Sequence, residues 1–243
     1  MRVLLLKEIR EFFSSLIGYI VIAVFLITNS MFMWIFPGDY NILDSGYASL
    51  DSLFTLAPWI FLFLVPAITM RSFSEENKTG TMEFLLTKPL TDLQIILAKY
   101  FGALILVILS LLPTLVFYWS VSSLGNPPGN IDSGGTLGAA LGLFFLAAIY
   151  VAIGIFASSL SDNQIIAFII AVVLSFTVYM GFEFLSSLPG LQSFDAIVLS
   201  LGINDHYKSI SRGVIDSRDI LYYLVVIVFF LLVTRFKLQS RYW

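Results

Sequence analysis

Cysteine is absent from this sequence, which excludes disulfides, thiolate nucleophiles and cysteine metal ligands. Histidine occurs once, at His206. That rules out H-E-x-x-H metal sites and leaves an intramembrane hydrolase poorly supplied with a base. Charge is scarce too: 12% of the 243 residues are Asp, Glu, Lys or Arg, against roughly 25% in a soluble domain. There is no G-x-x-x-x-G-K-[ST] phosphate loop. The two lysines followed by Ser or Thr are Lys78 and Lys208, which follow Asn77 and Tyr207 rather than glycine. The chain therefore has no ATP site of its own. Mid-span ionisable groups, which mark ion pathways, are missing as well. Glu183 comes nearest and reads as the marker of a helix end, with a cavity-facing role as the alternative. This argues against a proton- or sodium-coupled carrier.

What remains is apolar. Hydrophobic residues make up 58% of the chain and the mean hydropathy is +0.93, so the class is an all-α integral membrane protein forming one domain over residues 1–243. A span needs about 20 apolar residues, and six uncharged runs qualify: Leu16–Phe36, Ser52–Met70, Tyr100–Ser120, Leu137–Leu160, Gln164–Phe182 and Ile220–Thr234. The last is short, about 22 Å of helix, and reaches across only if Asp219 and Arg235 sit at the headgroups. The first run is too long for a signal-peptide core, so no cleaved leader is expected. Residues 1–13 place Leu5, Ile9, Phe12 and Leu16 at helical spacing opposite Lys7, Glu8, Arg10 and Glu11, the pattern of an interfacial helix.

Basic residues assign the sides. Arg2, Lys7 and Arg10 precede the first span, Arg71, Lys78, Lys88 and Lys99 lie between the second and third, and Arg235, Lys237 and Arg241 follow the sixth. Only Lys208, Arg212 and Arg218 fall on the other side. The positive-inside rule then puts both termini and residues 71–99 in the cytoplasm. The outer segment 187–219 contains an apolar stretch, 196–203, that reads as a re-entrant or interfacial helix. Within this segment His206 reads as an exposed surface residue. Arg212–Gly213 reads as a turn, and Asp216 with Asp219 as the start of the sixth helix.

Residues 71–99 gather eight charged side chains. Ser72 with Glu75, and Thr91 with Gln94, have capping-box spacing. Gly80 and Pro89 are placed to end two short helices, and Met82, Phe84, Leu85 and Leu86 give the second an apolar side with no cover of its own. The residues alone leave two readings open: a capped loop resting on lipid, or a docking surface for a cytoplasmic partner.

The run F-x-E-E-x-x-x-G-T-x-E-x-L-L-T-x-P, here Phe73, Glu75, Glu76, Gly80, Thr81, Glu83, Leu85, Leu86, Thr87 and Pro89, resembles the signature of ABC-2-type permeases. A second segment, His206 to Leu224, resembles the lead into the last span of one subgroup. That subgroup holds the gliding-motility permease subunits of the Bacteroidetes (the F subunit) and the permease of nitrous oxide reductase maturation; the gliding-motility subunit is the nearer match. The resemblance implies a six-span permease of the bacterial inner membrane that is not itself an enzyme. ATP and Mg would sit on a separate ATP-binding subunit, and a second copy or a related permease would complete the pathway. It implies a coupling helix over residues 81–88, with Met82, Phe84 and Leu85 as an apolar wedge and Thr81 among the partner-coupling residues. Glu75, Glu76 and Glu83 would orient it, and Gly80 and Pro89 would fix its ends. A periplasmic partner on residues 187–219 and a bilayer partner are compatible with it; nucleic acid is not expected. From another class, a membrane scaffold or channel component that recruits partners without ATP-driven transport remains the alternative.

Overall fold

The computed structural model describes residues 1–82, 90–188, 195–213 and 216–240. Among them every regular element is helical. Six helices are long and apolar enough to cross a membrane: Leu16–Ile35, Asp51–Thr79, Asp92–Leu124, Ser133–Leu160, Gln164–Ser186 and Ser217–Gln239. The chain is a multi-pass membrane protein. Six crossings place the helix Arg2–Ser14, the end of the sixth span at Gln239, and the facing ends of the second and third spans, Thr79 and Asp92, on one side of the bundle, the terminal side; the opposite side is termed distal.

The six apolar runs each became a span, but several ends moved. The second span does not stop at Met70: that residue is itself helical, and Arg71–Thr79 continues from it. Ser72 is consequently inside a helix and caps nothing, so the Ser72–Glu75 box is not formed. The Thr91–Gln94 box is formed. Thr91 Oγ1 accepts from the Gln94 N–H at 3.3 Å, and Gln94 Oε1 accepts from the Thr91 N–H at 3.2 Å. Gly80 closes the helix Arg71–Thr79, termed the elbow helix, at φ +69°, a left-handed conformation that glycine adopts without steric cost. The sixth span is longer than its uncharged run, at 23 residues. It begins at the Asp216 cap, whose carboxylate accepts from the Arg218 N–H at 2.9 Å. The apolar stretch 196–203 is not one helix: a short helix, Asp195–Leu199, is followed by a break, and a second helix runs Ile203–Ser211.

The fourth span, Ser133–Leu160, is the core, with the second, third, fifth and sixth spans and the distal helix Ile203–Ser211 packed around it. Small residues make this possible, since helices in lipid gain stability from close packing rather than from a hydrophobic difference. A Cβ on Gly154 would fall 1.9 Å from Thr69 Oγ1, and one on Gly138 would fall 2.8 Å from the Gly213 Cα. Pro113 sits in a tight turn, Leu112–Thr114, that separates Asp92–Leu111 from Leu115–Leu124. Its missing N–H and ring tighten one turn there, while the third span runs on as one helix, Asp92–Leu124.

Candidate functional site

Three elements converge on one ammonium at the terminal side. The Thr91 cap sets the register of the third span, and Lys99, two turns in, is turned inward and only 2% exposed. Its Nζ lies 3.0 Å from Glu8 Oε1 of the N-terminal helix Arg2–Ser14 and 2.9 Å from Glu76 Oε1 of the elbow helix. The Phe73 ring lies beneath it at 5.3 Å, within cation–π range. Gly102, one turn farther on, lets the N-terminal helix lie close: a Cβ there would meet Glu8 Cβ at 2.9 Å. The elbow is also fastened to the core span, since the Phe73 N–H donates to Ser158 Oγ at 3.1 Å.

Two buried carboxylates thus share one cation, with Lys7 at the rim 3.7 Å from Glu76. Burial pushes the Glu8 carboxyl above its ordinary range, and the pull of Lys99 in the other direction does not overcome it. The exposed pairs Lys7–Glu11 and Arg71–Glu75 contribute little by comparison. Beside the joint lies a cavity of about 370 Å³ whose walls include Lys7, Glu11, Ser72, Glu75, Thr79 and Lys99.

The expected coupling residues separate into three groups. Glu75 and Thr81 line this cavity and Gly80 ends the elbow. Glu76, expected to orient a partner, is committed inside the chain to Lys99, and Met82, expected to be uncovered, is 4% exposed. Glu83, Phe84, Leu85 and Pro89, with the rest of the proposed wedge, lie outside the described residues. Lys99 and Glu8 were missed as a pair. Glu8 belongs by pattern to the polar side of the N-terminal helix, yet it packs inward while Lys7, Arg10 and Glu11 of that side stay exposed.

On the distal side the helix Ile203–Ser211 is fastened to three spans. Tyr207 Oη donates to the Phe54 carbonyl at 2.6 Å. Glu183 accepts from Asn204 Nδ2 at 2.6 Å and pairs with Lys208 at 3.1 Å, so Glu183 is a cavity wall as well as a helix end. His206 is not a free surface residue. Its Nδ1 meets Asp219 Oδ1 at 2.6 Å, its Nε2 meets the Ser200 carbonyl at 2.9 Å, and its ring stacks on Tyr222 at 3.9 Å. Both nitrogens donate only when the ring carries two protons. Asp219, expected at the headgroups, is 6% exposed and partners this ring. Gly213, at φ +83°, turns the chain past Gly138.

A further result is expected here. Replacing His206 by alanine leaves the Asp219 carboxylate buried without its donor, at a cost of about 1–3 kcal/mol. Amide exchange in residues 203–211 should speed up by about tenfold or more, while exchange in the N-terminal helix stays unchanged. Equal exchange in the two proteins would mean that the pair does not hold the helix.

The helix Ile203–Ser211 forms one wall of a distal cavity of about 680 Å³, which also has Asp51, Trp59, Asp132, Tyr179 and Glu183 in its walls. Among the described residues there is no group of three or more His, Asp or Glu placed to hold a metal ion. Comparison with known proteins adds one match. The model of a family described as ABC-2 family transporter protein matches residues 35–204, well over half of the chain. The matched stretch includes Glu76, Lys99 and Glu183, and leaves out Glu8 and Asp219. No curated protein matches.

Proposed function

The chain belongs to the ABC-2 family of transporter proteins and is a membrane permease subunit of an ABC transporter, and from that premise we propose that a separate ATP-hydrolysing subunit drives it through residues 71–99. The observation that supports this most directly is the Lys99 joint. The second span and the elbow form one continuous helical lever, Asp51–Thr79. Movement at its end is carried at once to the N-terminal helix and the third span through Lys99, and to the fourth through Ser158. Buried ion pairs and short hydrogen bonds resist shear, so force applied near Gly80 reaches the bundle as a rigid-body motion rather than a local bend.

On this reading the terminal side is cytoplasmic, ATP and Mg belong to the partner, and transport is outward across the inner membrane. A second copy or a related permease completes the pathway. The likeness of His206–Leu224 to gliding-motility permeases favours a place in that machinery, with residues 187–219 open to a periplasmic partner.

The absence of native cysteine makes the test direct. Thr79→Cys places one thiol on the exposed end of the elbow. In native membranes it should cross-link to the co-expressed ATP-hydrolysing subunit, and the yield should change when ATP is added. Reaction of that thiol only with reagents applied from outside the cell would invert the topology. A thiol that is cytoplasmic yet never reaches an ATPase would overturn the coupling role and favour a scaffold.

A further inference from the structure

The distal cavity has an apolar neighbour. Beyond the tight turn at Pro113, the distal part of the third span leaves a crevice of about 390 Å³ against the second and fourth spans. Its walls are almost entirely hydrocarbon, with Leu53, Ile108, Leu111, Leu115, Ala140 and Phe144 among them. Leu50, Phe54 and Thr136 line both the crevice and the polar cavity. The two volumes therefore adjoin at the distal ends of the second and fourth spans, one polar and one apolar.

The charges of the polar volume have a pattern of their own. Glu183 and Lys208 neutralise one another on one wall. The remaining three do not pair: among the described residues no carboxylate lies within ion-pair distance of Arg212. Asp51 accepts from Ser49 Oγ and Asp132 from the Gly135 N–H, both local contacts. A cavity with an unpaired guanidinium and two carboxylates free of cations is complementary to a head that carries both signs. Guanidinium suits a phosphate, and carboxylates suit an ammonium. A simple anion would face Asp51 and Asp132, and a simple cation would face Arg212 and Lys208.

We propose that the distal cavity and the Pro113 crevice together form a binding site for a zwitterionic phospholipid, its phosphate at Arg212, its ammonium toward Asp51 and Asp132, and one acyl chain between the second, third and fourth spans. Such a site needs no ATP-hydrolysing partner, so it stands or falls apart from the coupling role. It accounts for two features together: the turn at Pro113 beside the crevice, and the fastening to three spans of the helix that ends just before the exposed Arg212. A ligand site of this kind matches the usual form of small-molecule pockets, apolar walls with a few placed polar groups.

The test uses the full chain purified in detergent, without any partner. Retention of dioleoylphosphatidylethanolamine and of anionic dioleoylphosphatidylglycerol is compared by native mass spectrometry over a titration. The zwitterionic lipid should bind saturably and about tenfold more tightly. Arg212→Ala should weaken it by about tenfold, and Ala140→Trp, which fills the crevice, by at least as much. Arg212→Ala leaves the apolar core untouched, so a folding failure of the tryptophan variant would not obscure the result. Equal retention of the two lipids, or no effect of Arg212→Ala, would mean ordinary annular lipid and would overturn the site. Displacement of the zwitterionic lipid by a single-chain cationic amphiphile at equal concentration would also overturn it, in favour of a cation site.

Discussion

Replacing Lys99 by methionine is expected to release the N-terminal helix and cost about 3–5 kcal/mol, the usual penalty for removing one partner of a buried ion pair. The ammonium is 2% exposed and answers two carboxylates; without it Glu8 and Glu76 are left as two buried carboxylates with no shared cation. Thermal unfolding in detergent should show the loss, and amide exchange should place it in Arg2–Ser14 and Arg71–Thr79. The partners are not equivalent. Glu76 pairs with Lys7 as well as Lys99, whereas among the described residues Glu8 pairs with Lys99 alone, so Glu8→Gln should cost less than Glu76→Gln. Removing all three charges at once, Lys99→Met with Glu8→Gln and Glu76→Gln, should recover much of the loss, because an apolar replacement of the whole set is often nearly neutral. If Lys99→Met alone were as stable as the parent, the joint would not be a mechanical element.

The same group sets a pH dependence. The Glu8 carboxyl is raised when the helix is docked and ordinary, about 4.3, when it is free. Docking therefore holds more protons than release. Its stability is fully present below the ordinary value and declines as pH rises from there through the raised one. Protection of the N-terminal helix should fall across that window. In Lys99→Met, where the one cation that lowers the Glu8 value is gone, the fall should extend to higher pH.

Gly154→Val is expected to abolish the folded protein, and Gly154→Ala to destabilise it strongly. The added Cβ would lie 1.9 Å from Thr69 Oγ1 and 2.7 Å from Thr69 Cβ, inside any allowed contact. Thr69 cannot simply rotate away, since it is fully buried and its hydroxyl donates to the Val65 carbonyl at 2.9 Å. Overpacking of this kind costs about 1–3 kcal/mol and more where backbone must move. Here the second and fourth spans would have to part. Thr69→Ala should rescue Gly154→Ala only in part, because the Cβ contact remains, whereas Thr69→Gly should rescue it more fully. A double-mutant cycle on yield and thermal midpoint reads the difference. Independent, additive effects would show that the spans do not cross at this point.

Two capping boxes of the same spacing met different fates. Thr91 follows a break and caps the third span. Ser72 follows Met70, which is already helical, so its hydroxyl has no free helix start to serve. The difference lies in the preceding residues, not in the motif. The stretch 196–203 reads in sequence as a re-entrant or interfacial helix; the structure has a short helix, Asp195–Leu199, then a break, and the next helix, Ile203–Ser211, carries His206 and Tyr207 to Asp219 and Phe54. Glu8 was assigned to the polar side of its helix because a hydrophobic pattern treats every carboxylate as facing water. Lys99 made that assignment wrong from a distance of 91 residues.

By itself the sequence determined the membrane class, the six spans, the Gly80 stop and the Thr91 start. These depend on hydropathy summed along a window of about 20 residues and on backbone rules that act within one turn. Only the tertiary structure decided that Lys99 joins Glu8 to Glu76, that His206 holds Asp219, and that the distal cavity meets an apolar crevice. Each requires two or more helices to be rotated and placed to within a fraction of an ångström, and no local sum of residue preferences carries that information.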